Sequence, residues 1–387
     1  MVSKTIICVV GARPNFMKIA PILRSLKGLP GLRTRLIHTG QHYDDRLSRQ
    51  FFEDLELPDP DLNLEVGSGS HGSQTGEMMK RLEPVFEQEK PVLVLVVGDV
   101  NSTLAAALVA SKLQIPVAHV EAGLRSFDRS MPEEINRVVT DVLSTLLFVT
   151  EPAGLEHLTR EGIPSERIHL VGDVMIDAVR QCLPRARHAA AQRWPSLSPR
   201  AYAMITLHRP VNVDRPEQLT KLVQSFETLL TSPDSLRKEE LSTLLFPVHP
   251  RTQARLEKFG LLPRLERLPK LVLLPPLGYL EFLGLLEGAR FVLTDSGGIQ
   301  SEACFLRVPC LTLRDTTERP ETVEAGANLL LGDDPSVMPA AVEDLLRKPM
   351  PGPPPPARMD GEAAPRIVEV LHHWLKQSDD KIRAQDA

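Results

Sequence analysis

PVLVLVVGDVNSTLAAALVASKLQIPVAHVEAG, residues 91 to 123, holds an apolar run, a small polar turn, an alanine-rich helical stretch and a second apolar run. Strand, crossover helix and parallel strand come in this order, so the stretch reads as one unit of a parallel sheet. The second run ends on Glu121, a carboxylate just before a glycine. Burying it alone would cost about several kcal/mol, so it needs a partner or a task.

The same alternation continues on both sides. KTIICVV, RLIHTG and LNLEV read as strands before it, and LLFVTEP and RIHLVGD after it. Between them KIAPILRSL, RLSRQFFEDL, QTGEMMKRLEPVFEQE and EEINRVVTDVLST carry the apolar spacing of helices with one buried face. The second half begins again with YAMITLHR, TLLFPVH, LVLLPPL, RFVLTD and VPCLTL as strands, and EQLTKLVQSFETLL, TQARLEKF, GYLEFLGLLEGA and GGIQSEACFLR as helices. The fold class is therefore α/β, with two Rossmann-like domains. The first is expected over 1–172 and the second over 173–361. The proline-rich PGPPPPARM reads as an extended connector. A last amphipathic helix, 362–378, is expected to pack back and join the first domain.

The chain has 387 residues, 42% hydrophobic and 25% charged, with a formal charge of -5, which suits a globular protein with a sizeable core. Aromatics are only 4% and no basic stripe is present, which argues against nucleic-acid binding. Cys8, Cys182, Cys304 and Cys310 form no CxxC pair, so buried thiols in a reducing compartment are expected. No run reaches about 18 apolar residues. A cytoplasmic protein without membrane attachment is the expectation.

In parallel α/β sheets ligands gather at the carboxyl ends of strands. The polar residues there are Gly11, Arg13, Asn15 and Lys18; Gly98, Asp99, Asn101 and Ser102; Glu121, Gly123 and Arg125; His208 and Arg209; His249 and Arg251; and Asp295, Ser296, Gly297 and Gly298. Singly, Asp99 and Asp295 read best as helix caps. Together, the acids Asp99, Glu121 and Glu133 and the cations Arg13, Lys18, Arg125 and His208 would collect on one rim. LTDSGGIQSEA, residues 293 to 303, is a strand, a small-residue turn and a helix whose N-terminus suits an anion, with Arg319 as a second cation. GSGSHG, residues 67 to 72, matches a dinucleotide fingerprint in letters, but the run before it, LNLEV, is weakly apolar and is not the opening strand of a βαβ unit, and no acid follows at the ribose position. The histidines form no HxH or HExxH pair, so no metal is expected.

From VVGARPNFMKIAP through HTGQHYD, GDVNSTLAAA, HVEAGLRSFDRSMPEEINR, TLHRP, FPVHPRT and LTDSGGIQSEA to RDTTERPETVEAG, the chain resembles the non-hydrolysing UDP-N-acetylglucosamine 2-epimerases. The resemblance implies a GT-B-like arrangement, two domains facing a central cleft, with UDP on the C-terminal domain and acids on the N-terminal one. It implies catalytic roles for Asp99, Glu121, Glu133 and His208. It places Arg13, Ser296, Gly297 and Gly298 at the diphosphate, Glu302 at the ribose and Arg319 in the nucleotide site. Lys18, Arg125 and His249, from their places after strands, are candidate substrate contacts. No cofactor and a homodimer are implied. Gln41, Glu134 and His249 match an activator site of bacterial members, while Pro210 stands where that site has an arginine. Val100, Ser301 and Val211 also depart from the common pattern. The implied chemistry is loss of UDP from C1 with the C2 proton, then re-addition with protonation of the other face. Rival readings are a 2-epimerase of another UDP-sugar, a hydrolysing relative and a nucleotide-sugar sensor.

Overall fold

The computed structural model describes residues 4–41, 54–231, 241–348 and 351–385, with the side chains of all of these but 13 and 378–385. The helix read from RLSRQFFEDL lies, but for its last two residues, outside the described residues. The chain divides into two compact units, Met1–Gln181 with Arg358–Ala387, and Cys182–Ala357. The division falls inside the helix Val174–Arg193, where the sequence reading set the join at 172/173.

Among the described residues the first unit holds a parallel sheet in the order β3-β2-β1-β4-β5-β6-β7. Its strands are β1 (Lys4–Val10), β2 (Leu32–His38), β3 (Leu62–Asn63), β4 (Leu93–Val97), β5 (Val117–Ala122), β6 (Leu146–Val149) and β7 (Ile168–Leu170). The second unit holds β8 (Tyr202–Thr206), β9 (Thr243–Pro247), β10 (Leu271–Leu274), β11 (Val292–Thr294), β12 (Cys310–Thr312) and β13 (Asn328–Leu330), in the order β10-β9-β8-β11-β12-β13. Each strand order reverses once, between β1 and β4 and between β8 and β11, and ligands of such sheets bind at that reversal. The central strands are apolar throughout because helices cover both faces; Ile6 to Val10 and Leu93 to Val97 are at most 1% exposed.

At the first reversal, helix and strand approach closely. A Cβ on Gly11 would lie 1.8 Å from Ser102 Oγ, so only glycine fits there. The helix Pro132–Leu143 is amphipathic in an inverted sense: Glu134, Asn136, Thr140 and Asp141 are its buried residues, while Ile135 and Val142 are 49% and 58% exposed. Its polar face therefore turns toward the end of the sheet. The helix Ala363–Gln385 belongs to the first unit, where Asp177 accepts from the amides of Ala363 (3.0 Å) and Ala364 (2.7 Å) and so caps its start.

Candidate active site

Asn15 closes the first reversal. Its Oδ1 accepts from the amides of Gly11 (3.0 Å) and Ala12 (3.1 Å), and its Nδ2 donates to Val97 O (3.0 Å), fixing the end of β1 to the end of β4. One turn along the same helix, Lys18 pairs with Glu121. Both side chains are nearly buried, 11% and 9% exposed. Burial works to lower the Lys18 pKa, but the Glu121 carboxylate, with Asp99 and Asp173 beyond it, outweighs this and holds it above the ordinary value. Glu121 thus has a partner, and its backbone shows a task as well. Its φ is +74°, and the β5–β6 register shifts between Val120 and Ala122, so Glu121 is the extra residue of a bulge. A non-glycine residue held there costs on the order of 1–3 kcal/mol, a kind of strain that clusters at functional sites.

Asp99 follows β4 through Gly98, whose φ is +69°. The capping reading does not hold for Asp99: the helix Asn101–Lys112 starts from Val100 without a side-chain cap. Instead Asp99 Oδ2 accepts from Arg137 Nε (3.0 Å) and a terminal nitrogen (2.6 Å), and Asn136 donates to Asp99 O (2.8 Å). Burial works to lower the pKa of Arg137, yet Asp99 and Glu121 hold it above the usual arginine value. Asp99 and Glu121, at the ends of adjacent strands, therefore share the field of Lys18 and Arg137. Glu133, in the first turn of the helix Pro132–Leu143, makes no hydrogen bond or ion pair among the described residues. Its neighbour Glu134 is committed, accepting from the amides of Ser126 (2.8 Å) and Phe127 (3.1 Å) and from Arg137 (3.2 Å).

Arg125 is not on the rim. Its guanidinium is 1% exposed, enclosed between Asp141 (2.7 Å) and Glu161 (2.7 Å), so as found it offers no donor to a ligand. Arg13 opens the helix Arg13–Leu26, and its side chain lies outside the described residues. Gln41 accepts from Ser102 Oγ (2.7 Å) and the Ser102 amide (3.2 Å). GSGSHG leads into the helix His71–Glu89 from a two-residue β3, with no strand directly before it.

The second reversal is closed by Asp295. It too is no cap for the helix after it: fully buried, it accepts from the amides of His208 (3.0 Å) and Arg209 (2.9 Å) and from Asn212 Nδ2 (3.1 Å). His208 Nδ1 lies 3.1 Å from Asp295 Oδ1. Burial works to raise the Asp295 pKa, and the bonds from His208, Arg209 and Asn212 outweigh it and hold the carboxyl below its usual range. With Nδ1 turned to the carboxylate, His208 presents Nε2. The His249 ring stands 5.4 Å away, centroid to centroid, and its Nδ1 accepts from the Arg251 amide (3.2 Å) at the start of the helix Pro250–Lys258. Burial, then His208 and Arg251, hold the His249 pKa below the ordinary histidine value against the opposing pull of Asp295.

Ser296 is the N-cap residue of the helix Gly297–Phe305. A Cβ on Gly297 would stand 3.4 Å from Glu318 Oε2, whereas one on Gly298 would meet no protein atom within 4 Å. Glu302, on the same helix, is buried 3.5 Å from Tyr279 OH. Arg319 is the N-cap residue of the helix Pro320–Glu324. Sequence reasoning missed Arg314 and Glu318, which pair through two bonds of 2.6 and 2.7 Å beside this turn, with Arg209 at 3.7 Å. Their spacing of four residues in RDTTE was the available signal. Arg137 and Asp141 were missed as well, being polar residues on the buried face of a helix. Among the described residues no group of three or more His, Cys, Asp or Glu side chains is arranged to hold a metal ion, and no helix is long and apolar enough to cross a membrane.

A family model described as UDP-N-acetylglucosamine 2-epimerase matches residues 24–372. The chain belongs to this family. The UDP-N-acetylglucosamine 2-epimerase of Methanocaldococcus jannaschii is 46% identical over 366 residues, covering 94% of this chain and 97% of the relative. A crystal structure of the enzyme from that organism, in complex with UDP-GlcNAc and UDP, is similar with a TM-score of 0.80 and 45% identity over 95% of this chain and 99% of that one. A UDP-2,3-diacetamido-2,3-dideoxy-D-glucuronate 2-epimerase of Pseudomonas aeruginosa is 40% identical, covering 84% of this chain and 88% of the relative. Membership makes the protein an isomerase with the GT-B-like α/β fold of the family. The sheets, the two reversals and the polar clusters at their carboxyl ends are what this chain contributes to that assignment.

Proposed function

We propose that the protein interconverts UDP-N-acetylglucosamine and UDP-N-acetylmannosamine by epimerisation at C2. C2–H is not next to a carbonyl, so the proton is hard to remove until the C1–O bond to UDP begins to break. In the forward step that bond breaks, the C2 proton passes to a carboxylate, and C1=C2 forms in 2-acetamidoglucal while UDP leaves as the anion. In the return step UDP adds to C1 and an acid delivers a proton to the other face of C2. The base then loses its proton to solvent and the acid regains one from it; the reaction is redox-neutral, so no redox cofactor is required.

The observation that carries this reading is the pair Asp99 and Glu121, two carboxylates at neighbouring strand ends, each held by its own cation. Arg137 and Lys18 orient them as proton acceptors and as an anionic wall for a cationic transition state. Glu133, without a partner among the described residues, is the third acid. General acid–base catalysis of this kind contributes about 10² to 10⁴-fold. The first unit then supplies the acids. The second is assigned UDP, with diphosphate at Ser296, Gly297 and Gly298, ribose at Glu302, and Arg319 and His249 as further contacts; Arg13 is a further diphosphate contact, and His208 is the fourth catalytic residue. The open space over Gly298 supports close approach of a phosphate to the helix N-terminus.

A specific rival is a diacetamido-glucuronate substrate, since a relative named for that activity is 40% identical. We further place a second copy of the chain against the exposed apolar side of the helix Pro132–Leu143, where Met131, Ile135 and Val142 are 38%, 49% and 58% exposed. A cytoplasmic site of action agrees with the four buried thiols, and the mannosamine product would feed polysaccharide synthesis. Incubation of the purified protein with UDP-N-acetylglucosamine in D₂O, followed at C1 and C2 by NMR, tests the activity. UDP-N-acetylmannosamine with deuterium at C2 is the expected product. Free N-acetylmannosamine and UDP would mean hydrolysis, and unchanged substrate would move the assignment to another UDP-sugar.

A further inference from the structure

Behind Asp99 and Glu121 lies a buried polar pair that the proposed reaction does not touch. His119, two residues before Glu121 on β5, and Asp141, near the end of the helix Pro132–Leu143, are both wholly buried. His119 Nδ1 is 2.6 Å from Asp141 Oδ1, and its Nε2 donates to Gly98 O at 2.9 Å. The other oxygen of Asp141 accepts from the Gly123 amide (3.1 Å) and from Arg125 (2.7 Å). Glu161, on the far side of Arg125, closes the chain of contacts.

Gly98 is the residue before Asp99, and Gly123 is two residues after Glu121. The pair therefore grips the backbone on either side of the two carboxylates, at the positive-φ turn and at the bulge. Replacing both partners of a buried hydrogen-bonded pair by apolar side chains of the same shape can be nearly neutral, so stability alone is a poor reason for this one. A strained residue such as Glu121 persists only where its surroundings over-determine it, and the contacts of His119 and Asp141 do that.

We propose that His119 and Asp141 are positioning residues, a buried pair that holds the turn carrying Asp99 and the bulge carrying Glu121 in fixed register. The inference rests on the epimerase reading for its catalytic consequence, but its structural half does not. Displacing a reacting group by about 1 Å costs on the order of 10²-fold in rate.

Two substitutions separate the halves of the His119 contact. His119→Asn keeps a donor facing Asp141 and loses the one to Gly98 O. His119→Gln keeps the donor to Gly98 O. Amide hydrogen exchange over residues 98–104 and 121–125 is compared with exchange in 202–206, together with kcat and KM for UDP-N-acetylglucosamine and the melting temperature. In His119→Asn we expect exchange at 98–104 to rise by roughly tenfold with 202–206 unchanged. We expect kcat to fall by at least about tenfold and KM to change by less than about threefold. His119→Gln should restore both. If both variants exchange and turn over like the wild type, or lose activity only in step with melting temperature, the proposal is overturned. If His119→Asn does not fold, His119→Gln decides: wild-type exchange at 98–104 upholds the contact with Gly98, and faster exchange there overturns it. A wild type that exchanges as expected but does not turn over UDP-N-acetylglucosamine removes the epimerase reading and leaves the positioning pair established by exchange alone.

Discussion

Arg137 sets two nitrogens on a single oxygen of Asp99, Nε at 3.0 Å and a terminal nitrogen at 2.6 Å, while its third nitrogen stands 3.2 Å from Glu134. Asp99 is thereby held in one orientation, and its other oxygen keeps its acceptor capacity. Hydrogen bonds to charged groups contribute about 1.5–3 kcal/mol each. Arg137→Lys keeps the charge but not the planar fork. We expect kcat to drop by roughly 10- to 100-fold, with UDP affinity by calorimetry within about threefold of wild type, because UDP is assigned to the other unit. Undiminished kcat would show that Asp99 needs no such clamp.

Glu121→Gln should retain UDP binding and lose most turnover. It also leaves the Lys18 ammonium buried without its carboxylate, and removing one partner of a buried pair costs about 3–5 kcal/mol. The double variant Lys18→Met with Glu121→Gln should therefore melt higher than Glu121→Gln alone and remain inactive. A double variant that regains turnover would remove Glu121 from the chemistry.

Asp295 orients His208 through Nδ1 and ties down two backbone amides. In Asp295→Asn the amide group turns a donor or a neutral oxygen toward His208, and the ring loses its fixed tautomer. A fall in kcat of about 10² to 10⁴-fold is expected, comparable to removal of a general acid–base residue. The comparison variant is His208→Gln. If Asp295 acts through His208, combining the two should cost little more than either alone, whereas multiplying losses would show an independent role.

Asp177 supplies a pH test of the first unit. Burial, with Asp173 and Glu362 near, pushes its carboxyl up to about 6 from the ordinary 3.8, against the opposing bonds from Ala363 and Ala364. The folded chain thus holds this proton more tightly than the unfolded chain. The associated stability is complete below pH 3.8 and is lost as pH rises through about 6. The interval corresponds to roughly 3 kcal/mol. Measured by denaturant unfolding, the margin of wild type over Asp177→Asn should narrow from pH 4.5 to pH 7. A margin that widens over that range would reverse the sign.

How much of this was legible in the chain depended on the distance over which each feature is decided. The alternation of apolar runs with one-faced helices is local, and it located the strands of both sheets except β13, whose exposed Leu329 gives Asn328–Leu330 little apolar signature. It overstated LNLEV, of which only Leu62–Asn63 pairs, because an edge strand needs a neighbour in register as well as propensity. The candidate residues at strand ends were legible for the same local reason, since a parallel sheet must place them at one rim.

What each polar residue does there was decided only in three dimensions. Asp99 and Asp295 have the spacing of helix caps, yet their partners are Arg137, 38 residues away, and His208, 87 residues away. Arg125 has the charge and position of a substrate contact, but Asp141 and Glu161 enclose it. The sequence by itself determined the two α/β sheets and which residues come to their carboxyl ends, because backbone pairing and apolar burial follow from short periodic patterns. Tertiary structure decided which of those residues carry strain, which are paired and which stay open, because a buried charge takes its partner from whatever the packing brings within about 3 Å.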